Sequence, residues 1–476
     1  MPRMTLHEAR YEERLRADAP LLDAYLRTLE ADGAPFTIPG HKRNPSMGRV
    51  VAGDVPLYGG LDSVSLAGGT LLEAERRAAV LWGADVARFS VGGSTHGNQA
   101  LALAVGRPGD AVVVPRTLHR SLLLGLVLAG LDPVWLPTRV DTATGLPLGC
   151  RAADVERCLR ERPDVVAVFV GDPTYVGTVG ELERTAAVVH AHGVPLLVDA
   201  AWGAHFGFHP ALPPHALRAG ADALVTSAHK MLTGYSQAAL VLARTGRIDP
   251  ERLALGFEAG NTTSPAGAVL ASTDAARALL ELDGPALLGA VVGLVAAARA
   301  RLGEVDGLAV LGSVEPTKLV LGLAGTGADG VAVGRDLREA GVEVEMAERD
   351  WLVPIVSLAD TPATVDRLVT ALVEAVGRRA GAPRETAVAA SWSVRPDIVL
   401  SPREAFFAAA TTVTAREAVG RVCAELVAPY PPGVPVLAPG ERVTAEAVES
   451  LQRAAAAGTR IAYAADPTIA TLRVVA

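Results

Sequence analysis

The sequence predicts an α/β protein: an open, mostly parallel sheet in a large domain, a smaller α/β domain after it, and a C-terminal α+β segment. Three observations predict it. Short, valine-rich apolar runs at residues 111–114, 165–170, 195–198 and 223–226 have the length and β-branched content of strands buried on both faces. Helical stretches such as 181–192 separate them, the alternation that builds βαβ units with right-handed crossovers. The chain has 476 residues, room for about three domains. In such a sheet the loops leaving the carboxyl ends of the strands carry the functional site.

Along the chain, residues 5–30 read as one polar amphipathic helix, with Leu15, Leu22, Tyr25, Leu26 and Leu29 near helical spacing. Pro and Gly dominate 35–48, and strand–helix alternation fills 70–245. Residues 271–303 read as a long alanine-rich helix or helix pair. A second α/β stretch, 305–378, has strands expected at 319–323 and 352–357, and a linker is expected near 381–384. In the last segment Ser401-Pro402-Arg403-Glu404 and Thr414-Ala415-Arg416-Glu417 both have the form of a capping box, in which two side chains satisfy open N–H groups reciprocally. A proline-rich stretch at 429–440 interrupts that segment. The resulting division is an N-terminal helical segment (1–35), a large domain (36–290), a small α/β domain (291–382) and a C-terminal domain (383–476).

Composition removes several function classes. Acidic residues number 52 against 44 basic, a formal charge of −8, so no cationic excess exists to neutralise nucleic-acid phosphates. Three cysteines, Cys150, Cys158 and Cys423, are too few and too scattered for a disulfide framework or a zinc site, and no metal is expected. The start is charged and lacks the apolar core of a signal peptide. The longest apolar runs, 121–131 and 286–298, fall short of the ~18 residues that cross a bilayer. A reducing cytoplasm and no membrane partner are expected. Lysine is scarce: Lys42, Lys230 and Lys318 are the three candidates where chemistry demands a primary amine.

The informative amine is in Ser227-Ala228-His229-Lys230, directly after the run 223–226 and so at a strand's carboxyl edge. A lysine there can form a Schiff base with an aldehyde, of which pyridoxal phosphate (PLP) is the common one. That cofactor also needs an acid at its ring nitrogen, a cradle for its phosphate and a flat surface against its ring. Asp199 ends the run 195–198, one βα unit before Lys230, and supplies the acid; taken alone it reads as a helix cap. Gly92-Gly93-Ser94-Thr95-His96-Gly97-Asn98 follows the run 87–91 and supplies the cradle, through backbone N–H groups at Gly93 and the hydroxyls of Ser94 and Thr95, with Ser227 as a further donor. Taken alone it is a glycine-rich turn. His119 offers a flat imidazole, or a surface or helix-capping residue. Ala201 and Trp202 line the ring's other side, or Trp202 belongs to the core. His41-Lys42 lies in a Pro/Gly loop rather than at a strand end, and Lys318 precedes a strand and is expected to face solvent.

These strings resemble the PLP-dependent ornithine/lysine/arginine decarboxylases, of aspartate-aminotransferase-like fold (fold type I). The resemblance covers most of the chain. It rests on Pro39-Gly40-His41-Lys42, Gly93-Ser94-Thr95-His96-Gly97-Asn98, Val114-Pro115-Arg116 with His119-Arg120-Ser121, and Asp172-Pro173-Thr174-Tyr175-Val176-Gly177. It continues through Asp199-Ala200-Ala201-Trp202, Ser227-Ala228-His229-Lys230, Gly341-Val342-Glu343-Val344-Glu345-Met346 and Pro431-Pro432-Gly433-Val434-Pro435 with Pro439-Gly440-Glu441. The length resembles the family's short form, without an N-terminal wing domain.

The resemblance implies a homodimer with active sites at its interface. It implies that Lys230 binds PLP covalently, that His229 contacts the phosphate or donates a proton, and that Asp199 pairs with the pyridinium nitrogen. It implies that His119 stacks on the ring, that Ser94, Thr95 and Ser227 hold the phosphate, and that Glu345 meets the substrate's distal cation. His41 and Lys42 fall in a loop that the family places near the active site or dimer interface. Two departures stand out. Asp199-Ala200-Ala201-Trp202 replaces the Asp-Glu-Ala-His of many short-form members, and Thr263-Ser264-Pro265-Ala266-Gly267 lacks the family's aromatic residue. Glu345, Glu348 and Asp350 offer negative charge near one predicted turn, or Glu348, Arg349 and Asp350 form a solvated loop. The expected reaction is decarboxylation of a basic amino acid, arginine to agmatine first, then lysine or ornithine. An aminotransferase, or a non-catalytic paralogue acting as a scaffold, are the rival readings; the retention of Lys230, Asp199 and the cradle speaks against the scaffold.

Overall fold

The computed structural model describes residues 6–31, 37–44, 46, 51–57, 62–63, 68–386, 397–430, 434–456 and 458–476. The Pro431-Pro432-Gly433 part of the late motif lies outside the described residues. The chain opens with α1 (Leu6–Asp18), α2 (Pro20–Glu30), an antiparallel pair β1 (Asp62–Ser63) and β2 (Gly68–Gly69), and α3 (Thr70–Trp82). Alternation follows: β3 (Val86–Ser90), α4 (Gly93–Val105), β4 (Ala111–Pro115), α5 (Arg120–Ala129), β5 (Asp132–Leu136), α6 (Ala152–Glu161), β6 (Ala167–Gly171), α7 (Leu182–Ala191), β7 (Leu196–Asp199), β8 (Ala223–Ser227), α8 (Ala228–Met231) and β9 (Ala239–Ala243). Next come α9 (Pro250–Gly260), α10 (Gly267–Leu302), β10 (Ala309–Val310), β11 (Leu321–Gly322), α11 (Gly330–Glu339), β12 (Met346–Ala347), β13 (Trp351–Val353) and α12 (Pro362–Arg379). The chain closes with α13 (Pro402–Phe407), β14 (Ala410–Thr414), α14 (Ala415–Ala418), β15 (Ala428–Tyr430), α15 (Ala445–Ala456), β16 (Arg460–Ala462) and β17 (Thr471–Val475).

Two compact units are built from these elements: residues up to Ala104 with Asp199–Leu288, and Val105–Val198 with Gly289–Ala476. The long strands of the first unit run β3-β9-β8, antiparallel at both junctions. Those of the second run β7-β6-β4-β5, with β4 parallel to both β5 and β6. The chain passes from the second unit to the first at the end of β7, between Val198 and Asp199. Val225 and Val241, in β8 and β9, are 0% exposed, and burying each side chain contributes about 1.5–3 kcal/mol.

In the first unit, the single helix expected over 5–30 is two. Pro20 has no N–H to continue α1 and instead occupies the first turn of α2, where none is needed. Arg277 and Asp274 of α10 form an ion pair with both side chains 0% exposed, and Asp274 also accepts from Leu21 N at 2.9 Å, which holds α2. The antiparallel β9, a run as fully buried as β8, was not singled out in the sequence.

In the second unit, β10-β11-β13-β12 form a four-stranded antiparallel sheet covered by α11 and α12, around a core that includes Val295, Leu302, Leu321, Leu352 and Leu372. The strands expected at 319–323 and 352–357 appear in shortened form. The linker expected at 381–384 is held in place: Gly381 N donates to Thr326 O, Arg384 N to Ala324 O, and the Arg384 guanidinium pairs with Asp350 at 2.8 Å. That pair also takes Asp350, 7% exposed, out of the solvated loop expected at Glu348, Arg349 and Asp350. Lys318 does not face solvent. It is 1% exposed, with Arg299 Nη2 donating to its carbonyl and its ammonium 6.0 Å from the Tyr175 ring centroid. The C-terminal segment has its own core, including Val427, Leu451, Leu472 and Val474, and both capping boxes form, at Ser401–Glu404 and Thr414–Glu417.

Among the described residues one helix, α10, is long and apolar enough by length and composition to cross a membrane. Reading uninterrupted apolar runs missed this, because its alanines and glycines are broken by single polar residues. Its C-terminal part packs Val291, Val295, Ala298 and Leu302 into the core of the small sheet.

Candidate active site

Lys230 stands in α8, a single turn that begins where β8 ends. The turn is held by one acceptor. Ala238 O receives Ala228 N at 2.9 Å, His229 N at 3.3 Å and His229 Nδ1 at 2.9 Å. The last bond puts the His229 proton on Nδ1, which leaves Nε2 as the acceptor of the neutral ring. Burial pushes the His229 pKa below its usual value, and the charge of Lys230 acts in the same direction, against the bond to Ala238. His229 is therefore neutral at pH 7.

The segment after β7 runs beside the end of β8. Ala200 N donates to Val225 O at 2.8 Å, Thr226 Oγ1 to Ala200 O at 2.8 Å and Ser227 N to Ala201 O at 3.4 Å. These bonds bring Asp199-Ala200-Ala201-Trp202 alongside Ser227-Ala228-His229-Lys230. The Lys230 ammonium lies 4.4 Å from the Trp202 ring centroid, a cation–π contact that keeps the amine over a flat, apolar face. Asp199 is oriented at both oxygens: Ala201 N donates to Oδ1 at 3.1 Å, and Asn98 Nδ2 to Oδ2 at 2.8 Å.

Asn98 belongs to α4, and the start of this helix is the expected cradle. Gly93 adopts φ +69°, where only glycine is unstrained, and its N–H donates to Gln237 O at 2.9 Å. Gly97 lets the helix approach β8 and β9: a Cβ there would stand 2.6 Å from Val225 Cγ1 and 3.0 Å from Val241 Cγ2. Ser94 is buried and Thr95 exposed in the first turn. His96 turns inward, with Nδ1 bonded to Ser90 Oγ (2.9 Å) and Nε2 to Phe257 O (2.8 Å). Ser227 Oγ is shut off from solvent and has no hydrogen-bond partner among the described residues. An unsatisfied buried hydroxyl is costly unless an acceptor joins it. Together with the open N–H groups at the start of α4, Ser227 fits the anionic group of a phosphorylated aldehyde.

The first unit thus brings together Gly93, Ser94, Thr95, Asp199, Ala201, Trp202, Ser227, His229 and Lys230. The sequence reading gave Asn98 no role; the available signal was its position four residues after Ser94, one helical turn along. His41, also in this unit, bonds Asp54 Oδ2 through Nε2 at 3.0 Å and accepts Arg43 N on Nδ1 at 2.9 Å. Lys42 is exposed, with φ 55°, and donates to Thr37 O. His119 and Glu345 belong to the second unit. His119 is the N-cap of α5, its Nδ1 accepting from Ser121 N at 3.2 Å. Glu345 is exposed and accepts from Tyr175 Oη at 3.3 Å. Glu348 is largely withdrawn from water; burial and the nearby Asp350 raise its pKa to about 7.

Residues 19–322 match the family described as "Orn/Lys/Arg decarboxylase, major domain", and residues 385–460 match its C-terminal domain. The chain belongs to the Orn/Lys/Arg decarboxylase family. A relative from Halalkalibacterium halodurans, named arginine decarboxylase, is 33% identical over 96% of this chain and 97% of its own length. Among solved structures, lysine decarboxylase A from Pseudomonas aeruginosa superposes with a TM-score of 0.83 at 21% identity, covering 98% of this chain and 82% of that one. A structure titled "SPT with PLP" shares the fold more distantly, with a TM-score of 0.57 at 16% identity over 76% of this chain and 86% of that one. These two likenesses establish the fold-type-I architecture expected from the sequence.

Proposed function

We propose that this family member is a PLP-dependent carboxy-lyase that converts a basic L-amino acid to its amine and CO2, with arginine as the first substrate. The observation that carries the proposal is the convergence, on the edge where β7 and β8 end, of one amine, one oriented carboxylate and one unsatisfied hydroxyl: Lys230, Asp199 and Ser227. Near-full-length similarity to a protein named arginine decarboxylase supports arginine over lysine.

Lys230 would hold the cofactor covalently, Asp199 would meet its ring nitrogen, and Ser94, Thr95 and Ser227, with the open N–H groups in the first turn of α4, would hold its phosphate; the Gly93 N–H, expected to join them, is taken by Gln237 O, and Gly93 shapes the turn instead. Bound there, PLP supplies an electron sink for the bond that breaks at the amino-acid α-carbon. Asn98 and Ala201 N fix the direction of the Asp199 carboxylate. Trp202 and Ala201 keep water from the amine's surroundings. His229 takes or gives a proton at Nε2, and its depressed pKa keeps that atom an acceptor at neutral pH. His119 would offer its imidazole face to the cofactor ring. Glu345 meets the distal cation, as one fork of a bidentate carboxylate–guanidinium pair if the substrate is arginine. His41 and Lys42 stand at the substrate side of the site. The working form is a homodimer in a reducing cytoplasm, in keeping with three free cysteines.

Purified protein with and without added PLP is to be assayed for CO2 release from arginine, lysine and ornithine. Arginine is expected to be turned over fastest, and Lys230→Ala to lose both the visible absorbance and the CO2. A Lys230→Ala variant with full turnover would overturn the assignment. Release of a keto acid in place of CO2 would make the protein an aminotransferase.

A further inference from the structure

The geometry points to the C-terminal segment as a clamp on the loop that carries His119, with Arg116 as the positioning residue. Three contacts carry this, all inside the second unit. At the start of the loop Arg116, 6% exposed, grips Glu441, 2% exposed, through both terminal nitrogens, one of them at 2.8 Å. The same guanidinium donates to Pro435 O at 3.0 Å and Val436 O at 2.8 Å, and lies 4.8 Å from the Trp135 ring centroid. Glu441 also accepts Ala438 N at 2.9 Å. At the end of the loop the Arg120 guanidinium lies 4.3 Å from the Tyr463 ring centroid. At the far end of α5, Arg403 donates to Val127 O at 2.9 Å and Leu128 O at 2.8 Å, carbonyls that a helix leaves open at its last turn.

His119 sits between the first two contacts. Taking a guanidinium and a carboxylate out of water is costly, so a buried pair is weak evidence for added stability. What the forked geometry supplies is direction: two parallel bonds fix the angle as well as the distance. Arg116 is three residues before His119 in an irregular loop, so an angle fixed there is passed to the imidazole, whose Nδ1 is already tied to Ser121. The ring is thereby held at one orientation by residues that never touch the cofactor. This inference rests on the reading of His119 as the residue that stacks on the PLP ring.

The test uses the full chain, freed of cofactor and titrated with PLP, alongside the thermal midpoint. Glu441→Gln is expected to weaken PLP binding about tenfold, an effect in the range of coupled neighbours. His119→Ala is expected to weaken it too, and the double variant no more than His119→Ala alone. Multiplying effects would place Glu441's influence elsewhere and overturn the clamp. Arg116→Met with Glu441→Leu replaces the pair by apolar groups of similar size, a change that commonly preserves folding. It is expected to keep the thermal midpoint near wild type with PLP binding still weakened; recovery of both would make the pair mere packing. Should that variant not fold, Tyr463→Ala at the more exposed contact gives the same cycle: a smaller weakening that vanishes in the His119→Ala background, its persistence there overturning the clamp. If His119→Ala binds PLP like wild type, the stacking reading fails and the clamp with it. If His119→Ala weakens binding and Glu441→Gln does not, the clamp alone fails.

Discussion

Asn98 donates to Asp199 at 2.8 Å, joining a residue in the second turn of α4 to the carboxylate at the end of β7. The bond ties the start of α4, proposed to hold the phosphate, to the carboxylate proposed to meet the ring nitrogen. A hydrogen bond to a charged group is worth about 1.5–3 kcal/mol when it is lost in a buried setting. Asn98→Ala is therefore expected to lower kcat/KM on arginine by ten- to about a hundredfold. Steady-state kinetics across PLP concentrations checks this; an unchanged kcat/KM would mean that Asp199 needs no second residue.

Gly97 stands where α4 crosses β8 and β9. A Cβ at this position meets Val225 at 2.6 Å and Val241 at 3.0 Å. Gly97→Ala overpacks a close contact and is expected to cost about 1–3 kcal/mol. Denaturant unfolding measures the loss, and PLP titration of the same variant reports the displacement of the cradle.

Asp172 is buried, and burial lifts its carboxyl pKa to about 7 although Gly180 N donates to it. The folded state therefore holds the proton more tightly than the unfolded chain. The stability linked to this group is present below the ordinary carboxylate value of 3.8 and is lost as pH rises through 7. Asp172→Asn keeps an acceptor for Gly180 and is expected to stabilise the protein by about 2 kcal/mol at pH 8, with no gain at pH 4. Urea midpoints at the two pH values decide it.

His215 behaves in the opposite sense. Its Nδ1 accepts from Arg218 N at 3.2 Å, its ring stacks on Phe208, and burial together with the charges of Arg218 and Arg244 pushes its pKa down to about 4. The unfolded chain takes up this proton near 6.5, the folded chain only near 4. The linked stability is complete above 6.5 and falls away as the solution is acidified toward 4, by ~3 kcal/mol at most. His215→Gln is expected to flatten the stability profile in that interval, as thermal midpoints at pH 4.5, 5.5 and 7 would show.

Much of this was readable in the sequence because it is local. Lys230 follows a strand by three residues, and Gly93, Ser94 and Thr95 open a helix just after another, so strand-end logic alone finds them. Lys318 was misread for the converse reason. A lone lysine before a strand looks like surface until Tyr175 and Arg299 fold over it from elsewhere in the chain. The Asn98–Asp199 bond joins positions 101 apart, and the Arg116–Glu441 pair joins positions 325 apart. No periodicity connects such residues; they meet because the sheet order and the C-terminal core put them together.

The burial of Lys318 has a practical consequence. With that ammonium at 1% exposure and three lysines in the whole chain, reagents that acylate primary amines find a nearly silent surface. Apart from any amino-terminal group, Lys42 is the background and Lys230 the signal. Modification followed by peptide mass mapping would therefore report occupancy at position 230 directly, through its protection by whatever aldehyde is bound there.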